Sequence, residues 1–367
     1  MSAKSAATLR NSMRLLTVIG IAVAVVALLC TRSDSRMAFA GQQQDKQLTA
    51  AVTCATCHAG VASSFKNAPM RHAMEPDGAN PLLNAHPDIT SQLGAYTYRV
   101  QTRGAHSTYS VSDGKDTLTL PIHWIFGQHT QTWVLEKDGH FYESLVSYFP
   151  RENTLATTPG DQGISPHTLE EAVGRRLPIW ETRVCFNCHA SGVGEKLDVA
   201  KITPGLNCEH CHAGAQQHME DAANENFKTL PKSLKHLDAE QVSDFCGQCH
   251  RTFDTVMRNR WHGPAFVRFQ PYRIELSKCF VGNDPRISCV ACHNPHQQLN
   301  HSTAFYDSKC LACHEARASS RVAAKVCPVA KSNCTSCHMP KVELPGGHAQ
   351  FTDHFIRVVK PGEDYPE

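Results

Sequence analysis

The sequence predicts a mainly α fold with extensive loops and a small antiparallel β insert, and three observations carry that expectation. The 367-residue chain holds 17 Cys and 22 His, more than any side-chain core needs. Seven Cys pairs share one short spacing suited to a helical turn, and six of them crowd into residues 185–338. One stretch without such pairs, residues 90–150, alternates apolar and polar side chains as a half-buried strand does. Composition narrows the function classes. With 36 basic and 34 acidic residues and a formal charge of +2, there is no uniformly basic surface for nucleic acid. A hydrophobic share of 41% and a charged share of 19% exclude a disordered chain.

The chain opens with an export pattern. Lys4, Arg10 and Arg14 precede an apolar run, Leu15–Leu29, and Ala38-Phe39-Ala40 stands before Gly41. This reads as a signal peptide over residues 1–40 with an A-x-A cleavage site. The run is shorter than the roughly 20 apolar residues that span a bilayer. The alternative is an uncleaved anchor, the one circumstance in which membrane association is expected. Cys30 lacks the small preceding residue a lipidation site wants. Cleavage removes five bases and one acid from a +2 chain, leaving −2. A periplasmic or otherwise extracytoplasmic location follows, and so does an oxidising environment.

The motifs are Cys54-Ala-Thr-Cys57-His58, Cys185-Phe-Asn-Cys188-His189, Cys208-Glu-His-Cys211-His212, Cys246-Gly-Gln-Cys249-His250, Cys289-Val-Ala-Cys292-His293, Cys310-Leu-Ala-Cys313-His314 and Cys334-Thr-Ser-Cys337-His338. Each is C-x-x-C-H, the attachment signature of c-type haem. Two thiols add across the two vinyl groups of one porphyrin edge, and one helical turn presents both sulfurs. The His after the second Cys then lies under the ring as proximal iron ligand. Zinc would want four ligands from separated pairs, and a disulfide framework would not require a His beside every pair. Seven covalent haem c groups are therefore expected. Cys279 and Cys327 remain outside the motifs, and in an oxidising compartment a bridge between them is favoured over two free thiols.

The sixth ligand separates electron transfer from catalysis, because a closed six-coordinate iron shuttles electrons and an open one binds substrate. Fifteen His lie outside the proximal positions. His72, His218, His262, His296, His348 and His354 are the distal candidates, each against the plainer role of a surface or hydrogen-bonded His. His296 sits too near His293 to reach the same iron and is assigned to a neighbour. His86, His106, His123, His129, His140, His167, His236 and His301 are the pool for a seventh ligand. Met70, Met74 and Met257 are candidate thioether ligands, although Met more often packs.

Along the chain, residues 41–89 form a first haem segment, 90–160 the β insert, and 161–367 a six-haem cytochrome c domain. In the insert Tyr96–Val100, Ser107–Val111, Thr117–Leu120, Ile122–Phe126, Thr132–Glu136 and His140–Leu145 read as strands. Asp138-Gly139 between two of them is a hairpin signal. Ser165-Pro166 opens a helical spacing of Leu169, Ala172, Val173 and Leu177. Asp238 to Gln241 resembles a capping box before Val242 and Phe245. About one attachment site for every 47 mature residues leaves little room for a side-chain core, so porphyrins supply much of the apolar interior. The close pairs at 185/208 and 289/310 suggest packed haem pairs.

On these motifs the chain resembles the multihaem cytochrome c-552/c-554 family, within the group that holds the pentahaem nitrite reductases and octahaem hydroxylamine oxidoreductases. The resemblance rests on Cys208–Gly214 with His218, Arg268–Arg273 before Cys279, and Cys289–His296. It rests also on Cys334–Lys341 followed by His348 and Thr352-Asp353-His354, the first motif, and Gly127–Tyr148. It implies a multihaem array with a haem-packed core and bis-His haems in stacked pairs carrying electrons in the periplasm. It supports His218, His296, His348 and His354 as ligands. Every site here ends in His, whereas the similar nitrite reductases use a C-x-x-C-K site. None of the eight Tyr forms a haem cross-linking signature.

The expected function is electron carriage between redox partners outside the cytoplasm. The partners are donor and acceptor proteins or a quinol-oxidising membrane complex, and assembly into an oligomer or filament is compatible with it. The competing class is a multihaem oxidoreductase acting on a small nitrogen or sulfur oxyanion at one five-coordinate haem. His123, His129 and Arg103 would line its pocket, or be ordinary sheet residues.

Overall fold

A computed structural model describes residues 54–128, 130–314, 327–360, 362, 363 and 365. The expected signal segment 1–40 and His129 lie outside the described residues. No described helix is long and apolar enough to cross a membrane.

The alternation after residue 88 folds into an antiparallel sheet. Its strands are β1 (Met74–Pro76), β2 (Asp88–Leu93), β3 (Tyr96–Arg103), β4 (His106–Ser112), β5 (Thr117–Phe126), β6 (Thr132–Lys137) and β7 (His140–Ser144). A separate hairpin follows, β8 (Val146–Phe149) with β9 (Thr154–Thr157), and then β10 (Gly174–Leu177). The eight-stranded sheet runs β10-β7-β6-β5-β4-β3-β2, with β1 also on β5. Side chains alternate as the pleat requires: Tyr96, Tyr98 and Val100 of β3 are buried, while Thr97 and Arg99 between them are exposed. The Asp138-Gly139 turn takes φ of 52° and 73° at its two central residues, the geometry a two-residue hairpin needs.

The expectation of a mainly α chain with a small insert is corrected here. The sheet is a major body, reaching from Met74 to Leu177 and recruiting β1, β2 and β10 beyond the stretch whose alternation was plain. Leu177, expected on a helix, ends β10, because the helix Leu169–Val173 stops at Gly174. Gly174 holds φ at 145°, and a Cβ there would collide with the Glu143 carbonyl of β7. Thr168, not Ser165, caps that helix, accepting from Glu171 N. The capping box at Asp238 and Gln241 forms as read and starts the helix Ala239–His250.

The sheet has two apolar faces. One carries the larger core, with Tyr98, Tyr109, Trp133, Leu135 and Tyr148 beneath Ala172 and Val173. The other gathers Met74, Trp124, Val134, Phe186, Ala190 and Ile202. The register shifts between Ile122 and Trp124, and this irregularity puts Ile122 and Trp124 in different cores. The second core docks the helix Ile179–His189, which carries the second Cys pair. Phe186 meets Trp124 edge-on at 5.0 Å and Phe126 at 5.9 Å. By contrast the motif helices Cys208–Cys211, Cys289–Cys292 and Cys334–His338 have no buried residues.

Candidate functional site

The first, third, fifth and seventh C-x-x-C-H segments begin as short helical turns, while the second, fourth and sixth end the helices Ile179–His189, Ala239–His250 and Thr303–His314. Asn207 accepts from His210 N at the third motif. Asp307, on the helix Thr303–His314, accepts from Asn333 N at 2.6 Å and Cys334 N at 2.8 Å, tying the sixth motif's helix to the start of the seventh.

Three of the distal candidates face a proximal His of another segment. The rings of His58 and His218 lie 6.4 Å apart, those of His212 and His296 5.8 Å, and those of His293 and His354 6.1 Å. Two imidazoles sharing one iron, each bonded at about 2 Å, have ring centres about 6 Å apart. The other ring nitrogens are arranged to match. Nδ1 of His189 lies 2.8 Å from Ala73 O, that of His212 2.9 Å from Lys232 O, and that of His218 2.8 Å from Thr229 O. Nδ1 of His338 lies 2.8 Å from Arg357 O and that of His354 3.0 Å from Thr352 O. A Nδ1–H donated to a carbonyl leaves Nε2 with its lone pair free, the usual support of a metal-binding His. Burial pushes His354 down to about 4 and also lowers His189 and His293, which keeps these rings neutral.

The thiols of different motifs come together. Cys54 lies near Cys208, Cys188 near Cys249, Cys246 near Cys289 and Cys310 near Cys334. These link the first motif to the third, the second to the fourth, the fourth to the fifth and the sixth to the seventh. Cys292 also lies near Cys310, so the fifth and sixth motifs are neighbours. Cys279 lies near Cys310 and Cys313, while Cys327 accepts from Ala330 N. Both are free thiols, so the anticipated bridge is not formed.

The remaining candidates sit elsewhere. His72 has both nitrogens engaged, Nδ1 at 2.6 Å from Glu75 Oε1 and Nε2 at 2.7 Å from Lys66 O. His262 lines a small cavity with Trp261, Phe266, Tyr272, Arg273 and Tyr365. His348 takes φ of 46° and packs at 4.8 Å on Phe149. His189 stacks at 4.4 Å on Phe126. Met74 is buried in the second core and Met257 is exposed. His123 Nε2 is held at 2.7 Å by Glu136, and Arg103 is exposed beside the β3–β4 turn.

Sequence reasoning missed a buried ion cluster. Asp353 accepts from Arg273 Nε and Nη2, each at 2.8 Å, and from Arg357 Nη1 at 2.8 Å. The Arg273 and Asp353 side chains are 1% and 0% exposed. Burial pushes the Asp353 carboxyl up, but the Arg273 and Phe355 hydrogen bonds outweigh it and hold it below the ordinary value. Asp353 directly precedes His354, the one hint in the sequence. A pairing 80 residues apart leaves no periodic trace.

The family described as "Cytochrome c554 and c-prime" matches residues 165–213, which hold the second and third motifs. A multiheme cytochrome MtrA of Shewanella baltica (strain OS185) is 26% identical over 179 residues, covering 43% of this chain and 52% of the relative. The chain thus spans about half the length of that curated relative. A crystal structure of the outer cell wall cytochrome OcwA aligns at 15% identity with a TM-score of 0.31, over 54% of this chain and 36% of the other.

Proposed function

We propose that the chain is a multihaem c-type cytochrome that carries electrons between redox partners outside the cytoplasm, a reading its similarity to the cytochrome c554 family and to the multiheme cytochrome MtrA supports. Covalent haem c supplies the one-electron chemistry of its iron. We assign one haem to each of the seven motifs, one in residues 41–89 and six in 161–367. The Cys residues would hold the porphyrin edges, and His58, His189, His212, His250, His293, His314 and His338 would serve as proximal ligands. His218, His296 and His354 would supply the second imidazole to the irons held by His58, His212 and His293. The observation that carries this reading is the three facing imidazole pairs at 5.8–6.4 Å.

The neighbouring motif thiols order the sites so that electrons pass over short distances. The second site branches from the fourth beside the β-sheet, and the fourth continues through the fifth and sixth to the seventh. Export by residues 1–40 accounts for the attachment chemistry, which occurs outside the cytoplasm. Donor and acceptor proteins, or a quinol-oxidising membrane complex, are the partners this chemistry calls for.

Mass spectrometry of protein matured in a host able to attach haem c tests the count. About seven adducts of roughly 616 Da each are expected. Electron paramagnetic resonance of the oxidised protein tests the function: low-spin signals that ignore nitrite, cyanide and hydroxylamine support the carrier. A high-spin fraction that binds them establishes the oxidoreductase reading instead.

A further inference from the structure

The Asp353 cluster touches two haem sites at once. On one side, Asp353 is bracketed by its own hydrogen bonds around His354. Its Oδ1 accepts from Phe355 N at 3.0 Å, and its backbone N donates to Pro340 O at 2.9 Å. Ser277 Oγ donates to the His354 carbonyl at 3.2 Å and accepts from Ile356 N at 2.8 Å. The segment 353–356 therefore has little freedom to rotate, and the His354 ring stays facing His293. On the other side, Arg357 binds Asp353 with its side chain and His338 with its backbone. The Arg357 N–H donates to His338 O at 3.2 Å, and the Arg357 carbonyl accepts from His338 Nδ1 at 2.8 Å. Arg273 closes the cluster, packed at 4.5 Å over the Tyr365 ring and 5.3 Å over Phe355.

We propose that Asp353 is a positioning residue for two haem ligands together: His354 opposite His293 at the fifth site, and His338 at the seventh. The proposal rests on the haem reading above and adds a coupling to it. One carboxylate, fully buried, is the common anchor of both imidazoles. A ligand held by a stiff, satisfied network keeps a fixed ring orientation, and ring orientation sets the low-spin signature and potential of the iron it binds. Loosening the anchor should therefore disturb two sites and spare the others.

The test uses the matured full chain. Asp353→Asn keeps the shape and removes the charge, while Arg357→Gln removes the Arg357 side chain's bonds to Asp353, the Phe355 carbonyl and Glu363 and leaves the Arg273–Asp353 pair in place. The fifth and seventh sites are identified beforehand by the low-spin signals altered in His354→Ala and His338→Met. Asp353→Asn should shift the paramagnetic resonance signals and midpoint potentials of both sites, and Arg357→Gln should move those of the seventh more than those of the fifth. Signals unchanged in both variants overturn the proposal, as does an equal shift of every haem. If Asp353→Asn fails to mature, Arg357→Gln decides: a loaded protein with an unmoved seventh-site signal overturns the coupling. A colourless wild-type product defeats the haem reading itself, an outcome distinct from coloured variants with unshifted signals.

Discussion

Replacing Phe186 by Ala should detach the second Cys pair from the sheet. Phe186 is 0% exposed and lies 5.0 Å from Trp124, 5.9 Å from Phe126 and 6.3 Å from Phe141, ring centre to ring centre. Phe-to-Ala truncation in a core costs about 3–5 kcal/mol, transfer and cavity together. Two of the three ring contacts are edge-to-face, and such pairs are worth about 0.5–1.5 kcal/mol each beyond burial. The sheet is held by its own hydrogen-bond ladder and cannot readily collapse into the space. The expected loss is therefore in the upper half of that range, about 4 kcal/mol, or nearly a thousandfold in the folding equilibrium. Denaturant unfolding of the matured protein, followed by far-ultraviolet circular dichroism, measures it. Gln92→Ala on the exposed outer face of β2 serves as control and should stay within about 0.5 kcal/mol. A loss below about 1 kcal/mol for Phe186→Ala would refute the claim that the aromatic cluster anchors the second motif.

Other substitutions probe the ligands and caps. His218→Ala removes the imidazole facing His58, so one low-spin signal should convert to high-spin; an unchanged spectrum would reject the pairing. His72→Ala should leave every spin state as in wild type, because both ring nitrogens are already engaged by Glu75 and Lys66; a new high-spin signal would show that it ligates. Asp307 is held below the usual carboxylate range by hydrogen bonds from Cys334 N and Asn333 N. Its contribution is present above the unfolded carboxyl pKa and is lost as pH falls through the lowered folded value. Asp307→Asn should thus be less stable than wild type near neutral pH, the difference vanishing at the acid end of an unfolding titration. A difference that persists unchanged into acid would rule out the carboxylate as its source.

The strands at 96–145 were legible because their side-chain alternation is strict and Asp138-Gly139 marks a tight turn. The extent of the sheet was not. Met74–Pro76 is three residues long, and Gly174–Leu177 follows a helical spacing, so neither carries a period of its own; both become strands because β5 and β7 offer them free edges. At the site, the proximal residues were legible from spacing, while His72 and His218 looked alike as distal candidates. What separates them is the partner of each ring nitrogen, and Glu75, Lys66 and Thr229 acquire that role only through the fold.

The sequence by itself determined the attachment chemistry, since two thiols and an imidazole within five consecutive residues meet by local geometry in a single turn. Tertiary structure alone decided which imidazole faces which, how the motifs are ordered, and that Arg273 and Arg357 converge on Asp353. Those relations join residues up to 160 positions apart, as His58 and His218 show. Such contacts are selected by packing and by the cost of leaving buried charge unpaired, neither of which leaves a periodic mark along the chain.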